Sequence, residues 1–175
     1  MRRSHKTSRT SAALNQNLLE AVRRFIQRAR DDGQAGTLMT DAEAVDLLRE
    51  AGGHIPRWYP DLLTKAPLIG LNFSFGEIED GFRQCDWNWI GAAGIKSECE
   101  CYPGLPLLER GYFGFASDVT GSGGSLFLQP QPDGEAVIYQ VFHDVNIDAD
   151  EILAGARNQL APTLAAFLDA ACFDE

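Results

Sequence analysis

Cysteine and histidine are scarce in this chain, four of one and three of the other in 175 residues. Cys85, Cys99, Cys101 and Cys172 are scattered through a chain long enough to need no covalent staples. Reduced thiols are therefore expected, not a disulfide framework. Long apolar runs are missing as well. None approaches the roughly 18–20 residues that cross a bilayer, and Met1–Asn17 is polar and basic where a secretory signal would need an apolar core. Cytosolic residence without membrane insertion is the expectation. Basic residues thin out beyond residue 30: seven Lys/Arg stand against 24 Asp/Glu, a net of −17, whereas residues 1–30 carry eight bases and one acid, a net of +7. A body this acidic repels phosphates, which argues against nucleic-acid binding through the folded surface. It suits a basic protein partner instead.

What is present is globular. The apolar fraction is 45%, enough for one sizeable core in a single domain over residues 12–175. Met1–Ser11, rich in Ser, Thr and Arg, reads as a flexible basic tail. Leu14, Leu18, Val22, Phe25, Ile26 and Ala29 then recur at helical spacing, with Ser11 placed to cap the helix and Gly33 to end it. Thr40 and Glu43 form a capping box for a second helix, Asp41–Ala51, whose expected buried face is Val45, Leu47, Leu48 and Ala51. Pro60 suits the first turn of a short helix that Pro67 limits. Leu68–Phe75 and, less clearly, Trp87–Gly91 are rich in strand formers, and Gly76–Asp80 reads as a solvated acidic loop. Ile95–Leu108 reads as a short helix plus loop.

Three runs of strand formers follow: Tyr112–Ala116, Leu126–Gln129 and Ala136–His143. The turn string Gln131-Pro132-Asp133-Gly134 joins the last two as a hairpin. Along it Val137, Tyr139 and Val141 should share one face, and Ile138, Gln140 and Phe142 the other. Asp148 with Glu151 opens a C-terminal helical segment, which Pro162 interrupts and restarts. Helices, then mostly antiparallel strands, then helices define an α+β fold with a mostly antiparallel sheet of about five or six strands.

The chemistry-bearing residues do not assemble into a signature. Cys99-x-Cys101 with Cys85 and His143 lacks the paired spacing of a zinc site, so no metal is expected. Cys99 or Cys101 with His143 or His54 as base would make a cysteine-dependent enzyme, but no local nucleophile motif surrounds either cysteine. Gly121-Ser122-Gly123-Gly124 lacks the Lys-Ser/Thr ending of a phosphate loop and precedes a strand, so it reads as a turn that needs positive φ. No cofactor is implied. Asn72-Phe73-Ser74 matches a glycosylation triplet, which carries little weight in a cytosolic chain. The acids Glu77, Glu79, Asp80, Asp118 and Asp133 are expected to flank an exposed partner-binding face, with Trp58 and Trp87 either as aromatic anchors or, equally, as core residues.

Several motifs, in order, resemble the SUKH superfamily. Ile55-Pro56 with Tyr59 and Leu62-Leu63 resembles its opening helix, and Trp87-Asn88-Trp89-Ile90-Gly91 the strand region after it. Tyr112–Ala116 followed by Gly123-Gly124-Ser125-Leu126-Phe127-Leu128 looks like its core strands, although Ser125 stands where the family usually has an acid. Val137–Asp144 resembles the strand that ends in His-Asp, and Leu164-Ala165-Ala166-Phe167-Leu168 the closing helix. The resemblance covers residues 40–172. It implies an α+β fold without enzymatic activity. Many bacterial members are immunity proteins that neutralise toxins delivered between cells, often nucleases, and fungal members are interaction proteins in cell-wall regulation. A regulatory scaffold without a toxin partner is the alternative that the resemblance leaves open.

Overall fold

In the computed structural model of the chain, the described residues are 15–75, 86–121, 124–142 and 148–173, together with the backbone of 78–79 and 82–83. Helix α1 spans Gln16–Asp31. Asn15 caps it by accepting from the Asn17 N–H at 2.9 Å, and Gly33 ends it at φ +78°. The expected cap, Ser11, lies outside the described residues. Leu18, Ala21, Val22, Phe25 and Ala29 form the buried stripe. Helix α2 spans Asp41–Glu50 and opens on the capping box, Thr40 N–H to Glu43 Oε2 at 2.8 Å and Glu43 N–H to Thr40 Oγ1 at 3.2 Å. Its buried face differs from the expected one. Ala44, Leu47 and Ala51 are buried, and Val45 is 63% exposed. Residues 44, 47 and 51 lie on one helical stripe, and Val45 sits about 100° away from Ala44. Helix α3, Trp58–Leu63, buries Trp58, Tyr59, Leu62 and Leu63.

The next segment runs β1 (Asn72–Ser74), β2 (Ile78–Glu79), β3 (Phe82–Arg83) and β4 (Asp86–Trp89). Only three residues of the strand-forming run Leu68–Phe75 form a strand, and the acidic stretch expected as a loop contains β2, which pairs with β3 in a separate two-stranded sheet. Helices α4 (Ala92–Glu100) and α5 (Gly104–Leu108) precede β5 (Phe113–Asp118), β6 (Gly124–Pro130) and β7 (Ala136–Phe142). Then come α6 (Ala149–Gly155), β8 (Arg157–Ala161) and α7 (Leu164–Ala170). The expectation of one interrupted C-terminal helix is corrected here. Pro162 follows a strand: Arg157–Ala161 pairs antiparallel with β7.

The six-stranded sheet has the order β1-β4-β5-β6-β7-β8 and every pairing in it is antiparallel, an α+β fold. Both faces are covered. Leu126, Leu128, Ala136 and Ile138 enter the main core, which also holds Phe25, Tyr59, Phe73, Trp89, Phe115 and Phe167. Phe127 and Val141 point the other way into a smaller core with Leu107, Tyr112 and Ile152, against which Tyr139 packs. The alternation read from Val137–Val141 thus separates two cores. Trp89 lies edge-on to Phe115 at 5.0 Å, and Phe73 to Phe167 at 5.8 Å.

The β1 edge is closed by pieces from distant parts of the chain. Gln34 receives the Asn72 N–H on Oε1 at 2.8 Å and donates from Nε2 to the Asn72 carbonyl at 3.0 Å. One amide side chain thereby satisfies both outward backbone groups of Asn72. Ser74 exchanges two backbone hydrogen bonds with Cys172, at 2.9 and 2.8 Å, and Thr37 bridges Ile69. An edge so covered offers no template for a further strand.

The far end of α7 is tied to α1. Arg28 donates to the carbonyls of Leu168 and Ala171, while Arg24 forms a two-point pair with Asp169 at 2.8 and 2.9 Å. At its near end, Glu135 from the β6–β7 turn is 4% exposed, and its Oε2 accepts from the Leu164 and Ala165 N–H groups at 3.1 and 3.4 Å. Thr163 Oγ1 accepts from Ala166 N–H at 3.0 Å. Two side chains thus satisfy the first three N–H groups of the helix.

Candidate functional site

Strand register decides which of the predicted acids can act together. Ser74 pairs with Asp86 and Trp87 with Asp118, so β1 ends and β4 begins, with β2 and β3 between them in sequence, at the end of the sheet where Asp118 stands. Asp133 is exposed in the turn beyond Pro130, at the other end of β6. Seven residues of strand separate the two, about 20 Å at a 3.4 Å rise. Asp118 and Asp133 therefore stand at opposite ends of the sheet, where one small contact cannot hold both but a broad face could be flanked by them. Glu79 lies in β2. Glu77 and Asp80 lie outside the described residues.

Of the two readings of the tryptophans, burial favours the core. Trp58 is 5% exposed and Trp87 2%. Trp87 donates from its indole N–H to the Gly124 carbonyl at 2.8 Å, a tie from β4 to β6 across β5. Trp58 packs edge-on against Tyr59 at 5.7 Å. Both indoles are parts of the core.

Between the β1 edge and the end of β5 lies a groove of about 370 Å³, lined by Gln34, Asn72, Phe73, Asp86 and Val119. Asn88 donates to Asn72 Oδ1 at 2.9 Å on the same pair of strands. Val119 is 56% exposed, and its N–H holds the Asp86 carbonyl at 3.0 Å. Asp118 Oδ1 accepts from both the N–H and the hydroxyl of Thr120, each at 2.7 Å, which fixes the turn beside the groove. The groove thus offers amides, one half-buried carboxylate and one exposed apolar side chain, with the Asp118 turn beside it. Its lining comes from four separate places in the chain, and Gln34 and Asn72 meet only after folding. Val119, a β-branched residue beyond the end of a strand run, was the one local signal available.

The candidate nucleophiles fare differently. Cys99 is buried, and burial together with the neighbouring Glu98 carboxylate pushes its thiol up to about 11. At pH 7 about one molecule in ten thousand would carry the thiolate, the reactive form. Cys101 is exposed at the end of α4. His54 is exposed on the loop after α2. Cys85 and His143 lie outside the described residues. Among the described residues, no three His, Cys, Asp or Glu side chains cluster as a metal site, and no helix is long and apolar enough to cross a membrane.

The body's bases are largely committed locally. Arg49 pairs with Asp46 at 2.8 Å, Arg57 with Asp61 at 3.5 Å, Lys96 with Glu50 at 2.8 Å and Arg110 with Asp150 at 2.7 Å. The remaining field of the body is that of its surplus acids. No family model, curated protein or solved structure matches the chain.

Proposed function

We propose that this chain is a non-enzymatic binding protein, an immunity protein that neutralises a basic toxin domain such as a nuclease by occupying it. The observation that carries the reading is electrostatic: residues 31–175 hold a net of −17, while four of their seven bases are paired to neighbouring carboxylates. Such a surface accelerates encounter with a basic partner and competes with nucleic acid for it. The resemblance to the SUKH superfamily supplies the immunity role, and charge is compatible with it. The groove beside Asp86 and Asp118, at the hairpin end of the sheet, is the contact region we assign.

The raised thiol of Cys99 supports this reading against a cysteine-dependent enzyme. The test begins with capture of the partner from the host and its expression with and without this chain. A partner that arrests growth alone, and is silent when this chain is present, supports immunity. A partner without toxicity identifies a regulatory scaffold. The triple reversal Glu77→Lys, Glu79→Lys and Asp80→Lys, and separately Asp118→Lys, should then slow association at low salt while leaving dissociation nearly unchanged. Unchanged association in folded variants would remove this end of the sheet from the interface.

A further inference from the structure

Among the arginines after residue 31 whose side chains are described, Arg49, Arg57 and Arg110 each have a carboxylate within 3.5 Å or less. Arg157 is different. It opens β8 and is half-buried. Its Nε donates to the Leu153 carbonyl at 3.0 Å and its Nη1 to the Tyr112 hydroxyl at 2.5 Å. Its guanidinium lies 4.6 Å from the Tyr139 ring centre and 5.6 Å from that of Tyr112. No carboxylate of the described residues reaches it. A guanidinium has five N–H donors; two are used here, which leaves three without an acceptor among the described residues.

Tyr112 adds a further donor. Its oxygen accepts from Arg157, so its own proton is still to be placed, and the residue is only 4% exposed. Tyr139, half-buried, forms the platform under the guanidinium and meets Tyr112 edge-on at 5.6 Å. Stacking fixes the plane of the fork and excludes water from one of its faces. The hydrogen bonds to Leu153 and Tyr112 fix its rotation. A planar cation held this way is ready for a charge-assisted, two-point contact.

We infer that Arg157, Tyr112 and Tyr139 form a binding site for an oxyanion, a carboxylate or a phosphate group. Arg157 supplies the charge and two or more donors, Tyr112 a phenolic donor beside them, and Tyr139 the stacking surface. The site is independent of the proposed toxin contact. Its charge is opposite to that of the body around it, so the surrounding field lowers its affinity for free anions, and occupancy at low ligand concentration is weak.

The experiment is a ¹H–¹⁵N titration of the whole protein at pH 7, following the Arg157 Nε–H signal, which is assigned by its loss in Arg157→Lys. Inorganic phosphate, acetate and chloride are added at matched ionic strength. The expected result is a saturable shift with phosphate or acetate, half-complete on the order of millimolar, and none with chloride. Saturation by acetate alone assigns the source to carboxylates, and saturation by phosphate alone to phosphate groups. Tyr112→Phe retains the ring but removes the hydroxyl, and should weaken the response roughly tenfold. A shift that chloride reproduces, no saturable shift with either oxyanion, or an unchanged response in Tyr112→Phe would overturn the assignment.

Discussion

Removing the Glu135 side chain tests the tertiary cap on α7. In Glu135→Ala the Leu164 N–H, buried and bonded at 3.1 Å, loses its acceptor, and the Ala165 N–H loses a longer contact at 3.4 Å. Leaving one buried donor unmade costs about 1–3 kcal/mol, and the longer contact adds little. A loss near 2 kcal/mol is expected, larger than the ~1 kcal/mol of Thr163→Ala, which removes an ordinary exposed N-cap. The carboxyl also has a pH signature. Burial holds its pKa above 4.5 despite the helix N–H groups that favour the charged form. The folded state therefore keeps the proton longer than the unfolded chain. The stability this group contributes is complete below its unfolded pKa near 4.5 and is lost as pH rises through the folded value. Glu135→Gln cannot titrate, so wild type should lose stability relative to it from about pH 4 towards neutrality. Urea unfolding followed by tryptophan fluorescence at several pH values measures both effects, since all three tryptophans are buried. A Glu135→Ala loss below ~0.5 kcal/mol, or a wild-type-to-Gln difference that moves the other way with pH, would refute the reasoning.

Trp87→Phe should destabilise more than Trp58→Phe, by about 1 kcal/mol in urea unfolding, because only Trp87 gives up an indole hydrogen bond. Gly104→Ala should cost more than ~2 kcal/mol, since a Cβ would stand 1.7 Å from the Glu98 carbonyl oxygen, whereas Gly155→Ala, with open space around it in α6, should stabilise by about 0.4–1 kcal/mol; thermal melts rank the pair. In a Cys85→Ser background, a thiol reagent at pH 8 should label Cys101 and Cys172 quickly and Cys99 only on unfolding, read by mass spectrometry. About one Cys99 in a thousand is ionised at that pH. Labelling of Cys99 at the rate of Cys101 would contradict its burial.

The readable parts of this chain were those that local chemistry decides. Thr40 and Glu43 are three residues apart and cap each other without help from the rest of the molecule. The turn Gln131–Gly134 and the alternation of β7 are equally local. β8 was missed because Arg-Asn-Gln-Leu-Ala has neither alternation nor strand propensity; pairing with β7 makes it a strand. Val45 was misplaced because a β-branched residue reads as apolar core whichever stripe it occupies, and here Ala44 occupies the contact. The end of the sheet at which an acid stands depends on register, which is why Asp118 and Asp133 could not be told apart in position. The groove follows the same rule, since Gln34 meets Asn72 only through the closed β1 edge.

That closed edge has a consequence for synthesis. Residues on both sides of the chain clasp β1: Gln34 well before it, Cys172 almost a hundred residues after it. α1 likewise has its ion pair and carbonyl contacts on α7. A ribosome that has released α1 must still add well over a hundred residues before α7 appears, on the order of ten seconds or more. Until then part of the apolar stripe of α1, which otherwise packs on Phe73 and Trp89, and half the β1 edge lack their native cover. The growing chain must therefore be sheltered or stay loosely collapsed through most of its synthesis, and the fold closes late. Proteolysis of ribosome-bound chains of increasing length, the longest extended by a C-terminal spacer that carries residue 172 clear of the exit tunnel, would show it: α1 should remain cleavable until residue 172 has emerged, and then become protected.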